Sequence, residues 1–215
     1  MKNDLTELVF ILDRSGSMSG LESDTIGGFN AMIRKQSSEP GQALVSTVLF
    51  DTDSEVIHDR VPLERIPELT DRQYRVGGCT ALLDAVGSTI SHIGNVHKYA
   101  REEDRPGKTL FVITTDGMEN ASRRYTYSKL KELIERQKEK YGWEFLFLGA
   151  NIDSAREAGR FGIGRDNCAD YLPDSQGTEV IYGAVCEAVS SFRASRPLAA
   201  HWKKSIDNDV KSRKR

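Results

Sequence analysis

Residues 10–20 read FILDRSGSMSG. An apolar run from Leu8 ends at Leu12 and is followed at alternate positions by Asp13, Ser15 and Ser17, with Gly16 between the two hydroxyls. Side chains two apart in an extended segment point the same way, so a carboxylate and two hydroxyls can converge where a strand ends. Gly16 lets the backbone turn there. Ligands of open α/β sheets sit at the carboxyl ends of the strands, so this stretch raises a fold expectation and a site expectation together.

Working outward, short apolar runs alternate with helical patterns nearly to the end of the chain, the signature of an α/β fold with a largely parallel sheet. The runs predict strands over 7–12, 43–50, 55–61, 109–114, 144–148 and, more weakly marked, 169–172. Helices are predicted over 21–38, 81–103, 127–141, 154–161 and 177–193. Only FDTDSEV (50–56) separates the second strand from the third. It reads as a hairpin turn in which Asp51 and Asp53 do turn chemistry, which makes the third strand an antiparallel edge.

The totals exclude several classes. With 30 Lys and Arg against 32 Asp and Glu, the formal charge is -2, too small to recruit nucleic acid or a membrane surface. No apolar run approaches the ~18 residues of a membrane span, and the N-terminal run lacks a signal-peptide cleavage site. The cysteines, Cys79, Cys168 and Cys186, are far apart and unpaired in pattern, suggesting neither a disulfide framework nor zinc. A cytosolic protein is expected: one domain over 1–195 and a basic, flexible tail over 196–215.

Two further loops extend the first. In GGCTALLDAV (77–86), Thr80 follows two glycines and precedes a helix, where its hydroxyl either caps the helix or faces a ligand. In TTDGMEN (114–120), Asp116 ends a strand and meets the same sheet edge if the first and fourth strands are neighbours. Two carboxylates and three hydroxyls make an all-oxygen set, which suits a hard divalent cation such as Mg2+ or Mn2+. Asp84 is read as facing the first turn of its helix, Asp153 as an N-cap, and Cys79 as a small buried residue. Trp143, Phe145 and Phe147 are read as core.

DRSGSMS (13–19), GCTALLDA (78–85) and VITTDGMEN (112–120) together resemble the metal-ion-dependent adhesion site of von Willebrand factor A domains. Asp13, Ser15, Ser17, Thr80 and Asp116 match the family's DxSxS motif with its distant Thr and Asp, and the resemblance spans about residues 5–192. It implies a bacterial-type, stand-alone cytosolic member. It also implies a Rossmann-like, mostly parallel six-stranded sheet in the order 3-2-1-4-5-6, with helices on both faces and a divalent ion at its carboxyl edge. In the resemblance both acids often act partly through water, and Thr80 contacts the ion chiefly when a ligand is bound.

The function so implied is a protein-interaction module in which the ion bridges to an Asp or Glu of a partner protein. Arg14 inside the first loop and Arg123 and Arg124 after the third are expected at the rim, to attract that acid. The alternative is a metal-assisted hydrolase of phosphoesters or peptides using the same ion. The three loops offer no general base beside an attacking water, so a non-enzymatic role is favoured.

Overall fold

The computed structural model describes residues 2–198 and 200–213. Strands β1 (Lys2–Asp13), β2 (Gln42–Phe50), β3 (Ser54–Pro62), β4 (Pro106–Thr115), β5 (Glu144–Ala150) and β6 (Cys168–Tyr171) form one sheet ordered β3-β2-β1-β4-β5-β6. Only β3 runs antiparallel, against β2; the other neighbours are parallel. The helices are α1 (Glu22–Ser37), α2 (Leu82–Tyr99), α3 (Tyr127–Tyr141), α4 (Ser154–Arg160), α5 (Ser175–Arg193) and α6 (Lys204–Arg213). No helix among the described residues is long and apolar enough to cross a membrane.

The pleat of β1 divides the core. Leu8, Phe10 and Leu12 enter one layer with residues of α1, α5 and α6, whereas Val9 and Ile11 enter the other with residues of α2, α3 and α4. A strand covered on both faces must be apolar at every position, and for that reason it reads as an unbroken run. Trp143, Phe145 and Phe147 are buried, as expected. Helix α3 starts at Thr126, whose hydroxyl accepts the Lys129 N–H, and stops at Gly142 in the left-handed region. Helix α2 ends earlier than predicted, at Tyr99, where the Arg105 side chain donates to the freed Ala100 carbonyl at 3.1 Å.

The flexible tail expected from residue 196 is corrected. A 3-10 turn (Ala200–Lys203) leads into α6, and Trp202 and Ile206, one helical turn apart, are 7% and 1% exposed. Trp202 Nε1 donates to the Asp166 carbonyl at 2.9 Å. Lys203 Nζ donates to the Arg165 and Cys168 carbonyls at 2.6 and 2.7 Å, and Arg213 pairs with Asp174 and Asp209, each at 2.7 Å. Basic residues that look solvated in the sequence thus fasten a helix beside the β6 edge. Residues 199, 214 and 215 of that segment lie outside the described residues.

A second polar anchor sits midway along β1. Glu7 is fully buried and accepts from Arg60 Nε at 2.9 and 3.2 Å, while His97 Nε2 of α2 lies 3.1 Å away. Removing one partner of a buried pair typically costs about 3–5 kcal/mol. Arg60 keeps 21% of its side chain exposed, so Glu7→Gln should cost somewhat less, about 2–3 kcal/mol, by urea denaturation. Ile206→Ala should cost about 2–4 kcal/mol in the same assay, the usual range for a buried Ile; a loss within ~0.5 kcal/mol would mean that α6 does not pack.

Candidate metal centre

The order of the strands reverses between β1 and β4, so their carboxyl ends open on the same crevice. Leu12 pairs with Thr114 in that parallel ladder, which brings Asp13, Thr115 and Asp116 to one edge. Asp13 is 1% exposed and Asp116 2%. One Asp13 oxygen accepts the Ser15 N–H at 2.7 Å and the other accepts the Thr115 hydroxyl at 2.6 Å. Ser17 donates to Asp116 Oδ1, and its hydroxyl lies 3.2 Å from that of Ser15. The Tyr74 hydroxyl, from beneath, donates to the Asp13 carbonyl.

Thr80 joins this group because its helix is capped by other residues. The Glu119 carboxylate accepts the Leu83 N–H at 2.9 Å and the Ser122 hydroxyl accepts the Asp84 N–H at 3.0 Å, both at the start of α2. Asn120 exchanges bonds with the Thr80 backbone, accepting its N–H and donating to its carbonyl at 2.9 and 3.0 Å. The Thr80 hydroxyl makes no hydrogen bond among the described residues. A side-chain carbon at Gly117 would stand 3.2 Å from the Ser17 hydroxyl and 3.3 Å from that of Thr80, so the two flank the space that glycine leaves open. All five motif residues are therefore assembled at one edge.

These residues fit a hard cation. Asp116 Oδ2 is buried and has no hydrogen-bond partner among the described residues, a costly state for a carboxylate oxygen. Burial pushes the Asp13 carboxyl above its ordinary value, against the bonds from Thr115 and Ser15, and the Asp116 charge adds to the rise. Burial likewise raises Asp116, against the bond from Ser17. A divalent cation favours the charged form of both. Among the described residues no three His, Cys, Asp or Glu side chains cluster as a metal site, so any ion here depends on the hydroxyls.

The surroundings revise several expectations. Arg14 does not stand free at the rim: its guanidinium donates to Asp51 and Glu55, each at 2.8 Å, and ties the first loop to the β2–β3 turn. Arg123 and Arg124 are exposed. Cys79 is exposed, not buried, because Thr80 turns inward and its neighbour in an extended chain turns outward. Gly78 has φ +72°, and a Cβ there would meet the Thr52 hydroxyl at 2.7 Å, so the approach to the hairpin requires glycine. Asp153 caps α4 as expected, accepting the Arg156 N–H at 2.9 Å. Met118, 64% exposed beside Gly117, is an apolar rim residue with no signal in the sequence.

Asp84 turns away from the ion-binding group, and not to its own helix's first turn. It accepts the N–H groups of Arg123, Arg124 and Tyr125 at 2.8, 2.9 and 2.8 Å. Although burial opposes it, these bonds hold the Asp84 carboxyl below its ordinary value. Its contribution to stability is present above the unfolded value of about 3.9 and is lost as pH falls through the lower folded value. Asp84→Asn should cost about 2–3 kcal/mol at pH 7, and the gap to wild type should close below pH 4 in urea titrations.

No protein-family model matches the sequence, and no curated protein sequence matches it closely enough to count as a relative. Solved structures do match in fold. The D319A mutant of the PilB minor pilin from Streptococcus sanguinis aligns over 92% of this chain and 64% of its own, at 13% identity and TM-score 0.61. A von Willebrand factor type A structure from Catenulispora acidiphila aligns over 88% of this chain and 43% of its own, at 11% identity and TM-score 0.58. Proximal thread matrix protein 1 from the mussel byssus, with its MIDAS motif occupied by zinc, aligns over 87% and 46%, at 12% identity and TM-score 0.61. The chain thus spans between 43% and 64% of the length of these proteins. At such identities the likeness concerns the fold alone, and the fold of this chain is that of von Willebrand factor A domains.

Proposed function

We propose that the chain is a metal-dependent protein-interaction module and not an enzyme, working in the cytosol on an acidic partner protein. The observation that carries the reading is Asp116 Oδ2, a buried carboxylate oxygen without a partner among the described residues, in a group that also holds the Ser17 and Thr80 hydroxyls. Ser15, Ser17, Thr80, Asp13 and Asp116 would hold Mg2+ or Mn2+, because every donor is a hard oxygen. The bound ion supplies a coordination position for a carboxylate from outside. Asp13, with both oxygens already engaged by Ser15 and Thr115, acts chiefly by charge and by fixing the loop. The zinc-occupied motif of the mussel protein supports a divalent cation in this fold.

Hydrolysis would need a base beside the ion, and the histidines are committed elsewhere. His58 Nδ1 lies 3.0 Å from the Thr47 hydroxyl, His92 Nε2 2.9 Å from Asp59 and His97 3.1 Å from Glu7, while His201 precedes α6. With acids and bases nearly balanced overall, neither nucleic acid nor a membrane is the proposed partner. The three free cysteines, one of them exposed, suit a reducing cytosol.

Titration with MgCl2 or MnCl2 should raise the melting temperature. At ten times the dissociation constant the gain is about 1.4 kcal/mol, or roughly 3–6 °C for a chain of this size. Asp116→Asn should fold and lose the shift; a shift that persists in this variant, or is absent from wild type at millimolar ion, rules the centre out. Thr80→Ala should weaken capture of a carboxylate partner by more than it weakens ion binding. Equal losses would remove Thr80 from the partner-linked step.

A further inference from the structure

A groove of about 390 Å³ begins one residue beyond Thr80. Its floor is small, formed by Ala81, Ala85 and Ala121, and its walls are the β2–β3 turn on one side and Arg123 and Arg124 on the other. Two features make the arginine wall a prepared one. Its backbone is fixed, because Asp84 accepts the N–H groups of both residues and of Tyr125. Its side chains remain available: Arg123 is exposed and forms no ion pair among the described residues, and Arg124 is 67% exposed, with its Nε 3.9 Å from Asp84.

Asp84 keeps its charge on this side, but its oxygens face those backbone donors and the two guanidinium groups outnumber it there. Asp53 is exposed on the opposite wall, and it repels an acid from the hairpin side. Within one short groove, an anionic group is therefore attracted to one wall and kept off the other. A guanidinium fork grips a carboxylate with two bonds, and a backbone that is already ordered loses less entropy when a partner binds.

We propose that this groove takes a second acidic side chain of the same partner segment, so that the recognised sequence is an extended stretch with two carboxylates. One carboxylate serves the ion and the other is held between Arg123 and Arg124. The proposal rests on the metal-bridge reading, and its occupant is an acidic peptide segment of a protein.

A displayed random-peptide library, selected on wild-type protein in MgCl2 and again in EDTA, tests it. Magnesium-dependent peptides should carry two acids at a recurrent spacing. Their affinity, measured by fluorescence anisotropy, should fall about three- to tenfold in the Arg123→Ser, Arg124→Ser variant, the range for two exposed charge pairs. Versions with the second acid changed to its amide should bind wild type and variant alike. Peptides that need magnesium but show one acid, or that bind the double variant undiminished, overturn the groove and leave the metal bridge standing. Selection of the same peptides in EDTA, or of none in magnesium, overturns both.

Discussion

Two carboxylates buried side by side, Asp13 and Asp116, are the constraint to which the carboxyl edge of this sheet is built. Like charges taken out of water at neighbouring strand ends repel each other and lose hydration. The chain meets that cost with fixed donors: the Ser15 N–H and Thr115 hydroxyl on Asp13, and the Ser17 hydroxyl on Asp116. One oxygen of Asp116 is left over. The proposed function follows from that remainder, because a cation is the partner that neutralises the pair without filling the crevice.

Holding this arrangement open requires the loops to be tied to something other than the site, and the start of α2 does so. Glu119 and Ser122 cap a helix distant in sequence, and Asp84 of that helix caps the loop from which they come. The exchange satisfies the orphan N–H groups of a helix start and releases Thr80 from capping. Arg14 makes a comparable tie between the first loop and the hairpin. The same ties leave a groove whose walls are rigid in backbone and free in side chain.

Much of the fold was legible because its signals are local. Unbroken apolar runs follow from strands covered on both faces, the short FDTDSEV link permits only a hairpin, and Gly142 marks the end of α3. The Asp, Ser, Ser spacing was legible for the same reason: it is a property of one extended segment. The helix α6 was missed because the apolar residues that seat it, Trp202 in the turn before it and Ile206, are few among many charges, and only the surface beside β6 makes two enough. Thr115 and Asn120 were missed because their bonds reach Asp13 and Thr80 across 102 and 40 positions.

By itself, then, the sequence determined the α/β alternation, the antiparallel edge and the identity of five oxygen-bearing residues, since periodicity, turn chemistry and side-chain spacing act over a few neighbours. The pairing of β1 with β4 was implied only through the family resemblance; the tertiary structure alone decided that Thr80 is relieved of capping and that Arg14 is spent on internal ion pairs while the side chains of Arg123 and Arg124 stay exposed. A hydrogen bond or ion pair is made with whichever group the fold brings within about 3 Å, and residue type alone does not name that group.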